Sequence, residues 1–267
     1  MIYLSLNANQ IKILVLKKTL LGQQETLFYE KKHETQLLEK GKIINIDIVA
    51  SAIKEALNLS SPTPLTEKQV FLTLPQETFY FLRADVPNDI APSAIQAFIR
   101  DKARTVLPLE MDNYASEYFI QEADKQKTVT FYAIDKESLE QFQQCLALID
   151  LKLYSILPET LAYFKLFEKT LRREKKESIF YVNYEKDSVS GYLFDSTGLM
   201  DAKKWEGNIS KDETVEKILK TKTTEYETNK LKLNRLILSG SDSETIRQDT
   251  FTKAVGVWTN PLKRIIP

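Results

Sequence analysis

The segment MIYLSLNANQIKILVL, residues 1–16, decides the fold. Tyr3, Leu4 and Leu6 read as an apolar strand. Asn7-Ala8-Asn9-Gln10 reads as a polar turn, and Ile11, Ile13, Leu14, Val15 and Leu16 as the returning strand. The pattern comes back in IFYVNYEKDSVSGYLFD, residues 179–195, as a strand Ile179–Val182, a polar turn Asn183–Asp187 and a strand Val189–Phe194. Two halves that open alike predict an internal duplication. A third strand is expected around Thr26–Tyr29 in the first half, and a turn at Asp195–Gly198 in the second.

Working outward, Asp47 is the expected N-cap of a helix carrying Ile48, Val49, Ala52, Ile53, Ala56 and Leu57 at helical spacing. Ser60-Ser61-Pro62-Thr63-Pro64 breaks it. Residues 66–152 read as ββαββα, a small α+β insert. Its strands are Val70–Leu74, Phe79–Val86, Tyr114–Gln121 and Val129–Ile134. Its first helix opens at Pro92, carries Ile95, Phe98, Ile99 and Val106, and closes at Pro108. Its second is capped by Asp135 and carries Leu139, Phe142, Leu146 and Ile149. A further helix is expected from Pro158 to about Arg173, with Leu161, Phe164, Phe167 and Leu171 inward. Ser210-Lys211-Asp212-Glu213 reads as a capping box for a helix through Val215, Ile218, Leu219 and Tyr226. Leu236-Ile237-Leu238 reads as a buried strand.

Composition narrows the function. Lys+Arg and Asp+Glu both number 37, so the formal net charge is zero and no field favours nucleic acid or an anionic membrane. One Cys and one His exclude an intramolecular disulfide, a cysteine-cluster metal site and a His-pair zinc site. A reducing, cytoplasmic location is expected. No apolar run approaches the ~20 residues of a transmembrane helix, and the N-terminus lacks the pattern of a secretory signal. The chain has 7 glycines and no G-x-G, so a Walker loop and a Rossmann fingerprint are absent.

Five segments together resemble the type IV pilus assembly family PilM, within the actin-like superfamily that also contains FtsA. They are IKILVL (11–16), RTVLPLEMDNYASEYFI (104–120), FYAIDKESLEQFQQCLALIDLKLYSILPETLAYFKLF (131–167), LILSGSDS (236–243) and GVWTNPLKRI (256–265). Their order spans nearly the whole chain. The resemblance implies an α/β, actin-like (ribonuclease H-like) two-domain fold with a small ββαββα insert and a reduced second domain. The expected division is 1–65 with 153–175, the insert 66–152, and a shortened second domain 176–267.

The departures from the family concern its phosphate loops. Where the first loop has Asp and Gly, this chain has Ser5 and Asn7. At the second, the matching residues fall at about Tyr181 and Asn183. In the third only Gly240 stays, followed by Ser241 and Asp242. Aspartates organise Mg²⁺ through hard oxygens, and glycines let backbone N–H groups reach phosphate. A degenerate nucleotide cleft is therefore expected, lined by Ser5, Asn7, Asn9, Gln10, Asn183, Glu185, Gly240 and Ser241. No cofactor and no ATP hydrolysis are expected; retained binding of ATP and Mg²⁺ is the disfavoured alternative. Asn7, Asn9 and Gln10 also read as ordinary hairpin-turn residues.

The resemblance further implies a cytoplasmic scaffold at the inner face of the cell membrane. It would hold the short cytoplasmic tail of a PilN-like membrane protein near the boundary of the first domain and its insert, with no nucleic acid and no membrane contact of its own. The cytoplasmic domain of a GspL-like type II secretion protein is the close variant. Such proteins continue into a membrane span, so a chain stopping at Pro267 is either a stand-alone adaptor or a piece of a longer one. An actin-fold ATPase or sugar kinase, and an FtsA-like filament protein, are the competing classes.

Other candidates have plainer readings. His33, in Glu30-Lys31-Lys32-His33-Glu34, fits an exposed strand end, and Cys145 a small buried hydrophobe. Glu110 and Asp112 fit solvated acids rather than a hydrolase pair. Arg172-Arg173-Glu174-Lys175-Lys176-Glu177 reads as a solvated linker or a basic partner site. Phe79-Tyr80-Phe81 reads either as a strand buried on both faces or as a groove for an apolar peptide.

Overall fold

The computed structural model describes residues 1–18, 24–61, 65–87, 89–107, 110–123, 126–168, 177–185, 188–206, 221, 224 and 235–239. The chain divides into two compact units. One comprises 1–120 with 129–163, and the other 121–128 with 164–267.

The first unit is built on the opening hairpin. Strands β1 (Ile2–Leu6) and β2 (Gln10–Lys18) pair antiparallel, with Leu6 opposite Ile11 and Ile2 opposite Val15. β3 (Gln24–Lys32) continues the antiparallel run on β2. β6 (Gln69–Leu74) and β10 (Lys152–Pro158) add parallel to the other side of β1, giving the order β10-β6-β1-β2-β3. A two-residue turn, Lys40-Gly41, joins the short strands β4 (Leu38–Glu39) and β5 (Lys42–Ile43). Both turn residues have positive φ, 48° and 77°, the requirement of a type I′ turn.

Period-two alternation sends Ile2, Leu4, Leu6, Ile11, Ile13, Val15, Val70, Leu72 and Leu74 to one face, all at most 1–2 % exposed. There they share a core with Val49, Ile53 and Ala56 of α1 (Ile46–Ser60) and Phe142, Cys145 and Leu146 of α3 (Lys136–Ala147). The cap of α1 is Asn45, not Asp47. Asn45 is extended (φ −148°, ψ 119°) and its Oδ1 accepts from Ile48 N at 3.0 Å. Asp47 lies in the first turn, where its charge favours the helix dipole. Asp135 does cap α3, accepting from Glu137 N at 3.0 Å. α3 ends at Ala147, short of Ile149, because Asp150 turns to φ 59° and Leu151 N bonds back to Leu146 O at 3.0 Å.

After α1 the order is strand, strand, helix, strand, strand, helix, as expected, but the outer members, β6 and α3, are not part of a separate insert. β6 lies between β1 and β10, and α3 packs in the core of the five-stranded sheet. The insert narrows to β7 (Tyr80–Val86), α2 (Ile95–Val106), β8 (Tyr114–Ala123) and β9 (Gln126–Asp135). Its sheet has the order β7-β9-β8. Leu82, Val86, Ile95, Ile99, Ala103, Met111, Val129, Phe131 and Ala133 form a core of their own. Val106, read on one helix face with Ile95, Phe98 and Ile99, closes α2 and is exposed, while Ile95 and Ile99 are buried.

The second unit repeats the first motif. β11 (Ile179–Glu185) pairs antiparallel with β12 (Ser188–Asp195), which pairs antiparallel with β13 (Gly198–Glu206). β14 (Arg235–Ser239) lies parallel to β11 on the other side. The order β13-β12-β11-β14 thus has the directions of β3-β2-β1-β6, a duplication at the level of topology. The β12–β13 turn is held by Asp195 Oδ1, which accepts from Thr197 N at 2.8 Å and Thr197 Oγ1 at 2.7 Å. α4 (Glu159–Glu168) carries Phe164 and Phe167, both 3 % exposed. Its expected continuation to Arg173 lies outside the described residues. So does the helix expected from Ser210, apart from Thr221 and Thr224, both helical.

Candidate functional site

The β1–β2 turn is pinned from one side by backbone bonds. Asn7 N donates to Gln10 O at 2.9 Å, and Asn9 O accepts from His33 N at 2.7 Å. Ala8 O accepts from both Leu37 N (2.6 Å) and Leu38 N (3.2 Å). Ser5 sits on the sheet face away from the helices, opposite Lys12 on β2 and Thr73 on β6. Gln10 is 5 % exposed, and its Nε2 donates to Glu30 Oε1 at 2.5 Å. Its amide is therefore a cross-strand tie from β2 to β3. Asn7 is half-buried and Asn9 exposed. No carboxylate stands among these four residues to organise a divalent cation.

In the second unit, β11 is buried on both faces: Ile179, Phe180, Tyr181 and Val182 are each at most 3 % exposed. Tyr181 packs against Phe167 (ring centroids 5.4 Å) and Tyr192 (6.0 Å, 20° between planes). Phe194 and Phe164 extend the aromatic layer. At its polar end, Ser239 Oγ donates to Asn183 Oδ1 at 3.0 Å, and Tyr181 and Ser239 share a second hydrogen bond. Ser239 has one hydroxyl proton, so the relay runs Tyr181 OH to Ser239 Oγ to Asn183 Oδ1. Asn183 and the end of β14 are thus brought together. Glu185 is the last residue of β11, at backbone level. Gly240 and Ser241 lie outside the described residues.

A third arrangement forms at the base of the insert. Tyr132 of β9, 5 % exposed, is ringed by Phe81 (5.5 Å), Phe119 (6.3 Å) and Phe79 (6.5 Å, edge-on). Of the triplet 79–81, Phe79 and Phe81 belong to this cluster. Tyr80 points to the other face and meets Tyr114 edge-on at 5.3 Å. Polar groups close one side. Tyr132 hydrogen-bonds Thr160, whose Oγ1 donates to Gln76 Oε1. Gln76 N donates to Glu159 Oε1 at 3.2 Å, and Tyr163 OH to Glu159 Oε2 at 3.4 Å. Burial pushes the Tyr132 hydroxyl up to about 12, against a smaller opposing effect of the Thr160 bond. Sequence reading found Phe79 and Phe81 but not Tyr132, Gln76, Glu159 or Thr160. Those four converge only through the crossover that sets β10 beside β6.

Cys145 takes its plainer reading, as do Glu110 and Asp112, whereas His33 departs from the exposed strand end expected of it. Cys145 is 1 % exposed, and burial pushes its thiol up to about 12. Its Sγ–H points to Ile46 O at 3.8 Å. His33 is half-buried, with its pKa lowered by burial first and by Lys31 second. Glu110 is exposed and accepts from Asn113 Nδ2 at 3.1 Å, and Asp112 is exposed. Among the described residues no group of three His, Cys, Asp or Glu could hold a metal ion. Among them, too, no helix is long and apolar enough to cross a membrane. Of the run Arg172–Glu177, only Glu177 is described, within 3.4 Å of Arg235 Nε.

No protein-family model matches the chain, and no curated protein gives a significant match. Solved structures do. The chain is similar to a chain of the PilM-PilN type IV pilus biogenesis complex, with a TM-score of 0.76 at 15 % identity over 98 % of this chain and 87 % of that one. It is similar to the cytoplasmic domain of EpsL, an inner-membrane component of the Vibrio cholerae type II secretion system (TM-score 0.55, 12 % identity, 90 % and 81 % covered). A Bacteroides thetaiotaomicron protein of unknown function with an actin-like ATPase fold also matches (TM-score 0.53, 14 % identity, 97 % and 90 % covered). At such identities the likeness is one of fold, and the fold of this chain is the actin-like one, in a PilM-like form.

Proposed function

We propose that the chain is a non-catalytic scaffold of a type IV pilus or related secretion assembly. In this reading it lies in the cytoplasm, at the inner face of the membrane, and holds the short cytoplasmic tail of a PilN-like membrane protein. One observation carries the non-catalytic part. Tyr181, at the position matched to a phosphate-loop aspartate, is buried among aromatic rings, with its hydroxyl committed to Ser239. A phenol there supplies no carboxylate for Mg²⁺, and its ring is packed between Phe167 and Tyr192. The hairpin turn adds Ser5 and Asn7 where the family has Asp and Gly. ATP is accordingly neither bound nor hydrolysed, and no cofactor is needed.

The tail is assigned to the aromatic cluster around Tyr132. Phe79, Phe81 and Phe119 offer ring faces there, beside the Gln76–Glu159–Thr160 polar group. That mixture of apolar contact and fixed hydrogen bonding suits a short extended peptide. The EpsL likeness favours a second reading, the cytoplasmic part of a type II secretion protein.

Two titrations test the proposal. Calorimetry with ATP and Mg²⁺, on nucleotide-free protein, should show no heat up to millimolar ligand; micromolar affinity would overturn the non-catalytic reading. Synthetic N-terminal tails of PilN-like proteins from the same organism should bind, and Phe81→Ala should weaken them at least tenfold. Failure of every such tail, with binding instead to a type II secretion partner, would favour the second reading.

A further inference from the structure

We propose that the outer edge of β8, over Tyr114–Ile120, is a docking edge that accepts an extended segment of a partner protein as an added strand, the segment alternating basic and apolar residues. β8 is the terminal strand of the sheet β7-β9-β8, so one side of its backbone is offered outward. Proteins usually guard such an edge by keeping it short or by setting lysines and prolines on it. β8 runs Tyr114–Ala123, long for a strand, with neither lysine nor proline. Its consecutive residues Phe119 and Ile120 point to opposite faces and are 40 % and 41 % exposed. Large apolar residues open on both faces at one point are what an added strand would cover.

The two faces specify the occupant. On one, Glu117 neighbours Phe119; Glu117 is exposed and makes no ion pair among the described residues. On the other, Tyr114, Tyr118 and Ile120 present an apolar row, with Tyr114 and Tyr118 packed on the insert core. All charges of residues 110–123 are acidic: Glu110, Asp112, Glu117 and Glu122. Of these, Glu122 is neutralised by Lys127 at 3.3 Å. An incoming strand therefore sets a Lys or Arg beside Glu117 and β-branched residues beside Tyr118 and Ile120, the cross-strand pairs that stabilise a sheet. The docking edge stops at Ile120. With its amide oriented to satisfy both ends, Gln121 donates to Thr197 O at 2.9 Å. Two other edges differ: β3 carries both charge signs, with Lys31 paired to Glu55 and Glu30 to Lys12, and β7 is shorter and carries Arg83 and Asp85.

The probe is a blocked octapeptide of alternating lysine and valine, titrated into the full chain by fluorescence anisotropy, with the glutamate–valine peptide as control. The lysine peptide should bind. Glu117→Lys should weaken it at least tenfold without altering the circular dichroism spectrum, and molar salt should weaken it as well. Hydrogen exchange should slow at residues 114–120. Equal binding of both peptides, unchanged affinity of Glu117→Lys, protection on another strand, or no binding at millimolar peptide would each overturn the proposal. Phe119 belongs to both sites, so Glu117→Lys is the separating variant: it should leave binding of a PilN-like tail within threefold while it weakens the lysine peptide, and an equal loss of both would overturn the proposal.

Discussion

Substituting Gly41 by alanine should destabilise the first unit by about 2–4 kcal/mol, and the sum comes from two separate sources. Gly41 has φ +77°, a conformation that costs an alanine about 1 kcal/mol. A Cβ there would also lie 2.7 Å from Thr78 N and Cα and 2.5 Å from Thr78 Oγ1. Relieving contacts that short means moving the backbone turn Gln76–Thr78, an overpacking cost of about 1–3 kcal/mol. Urea denaturation of the purified variants, followed by circular dichroism, reads the total. Two controls separate the sources. Gly41→Asn tolerates the backbone angle but keeps the Cβ, so it should recover less than about 1 kcal/mol. Thr78→Ala removes Oγ1 but leaves the backbone atoms in place, so it should not rescue Gly41→Ala. Lys40→Gly, next in the turn at φ 48°, should be neutral or slightly stabilising. A Gly41→Ala variant within about 0.5 kcal/mol of wild type, or full rescue by Thr78→Ala, would refute the close approach of the hairpin to Thr78.

Other consequences are open to direct measurement. Asn45→Ala should cost about 1 kcal/mol in urea melts and Asp47→Ala clearly less, since Asn45 makes the capping bond; the reverse ranking would restore Asp47 as the cap. The single thiol, Cys145, should resist a disulfide reagent at pH 8 in the folded protein and react fully in urea. Tyr132 should make stability fall at alkaline pH. Its folded pKa is raised from 10.0 to about 12, so its contribution is complete below pH 10 and is lost as pH rises through 12. The loss is of order 2–3 kcal/mol, and Tyr132→Phe should show a correspondingly flatter profile between pH 10 and 12.

The repeated strand–turn–strand pattern was legible because an apolar strand, alternating in β1 and continuous in β11, gives way each time to a polar turn and a second apolar strand. Ile2, Leu4, Leu6 and their partners Ile11, Ile13 and Val15 state the buried face outright. The helix of Asp135 was legible for a similar reason, a cap followed by periodic apolar residues. What sequence could not assign was membership. Val70–Leu74 reads equally well as the first strand of an insert or as a parallel neighbour of β1, because strand pairing is a long-range choice that local patterning does not encode. The cap of α1 went to Asn45 over Asp47 because both residue types suit the role and only the backbone angle decides. At the candidate sites, Tyr181 and Asn183 were visible as departures from a family pattern. Their union with Ser239 required β14 to lie parallel to β11, and the convergence on Tyr132 required β10 to return beside β6.

The placement of β6 next to β10 has a consequence for how the protein can change. From the standpoint of the five-stranded sheet, everything between Phe79 and Ile134 is a single long loop, leaving after β6 and re-entering at the cap of α3. Loop-closure entropy grows only with the logarithm of length. Holding a loop of about 56 residues in place of a ten-residue one costs the sheet roughly 1.5 kcal/mol. The insert has its own apolar core to offset that cost. The insert can therefore be lengthened, rebuilt or exchanged at this position while the sheet that carries it keeps its strand order and register.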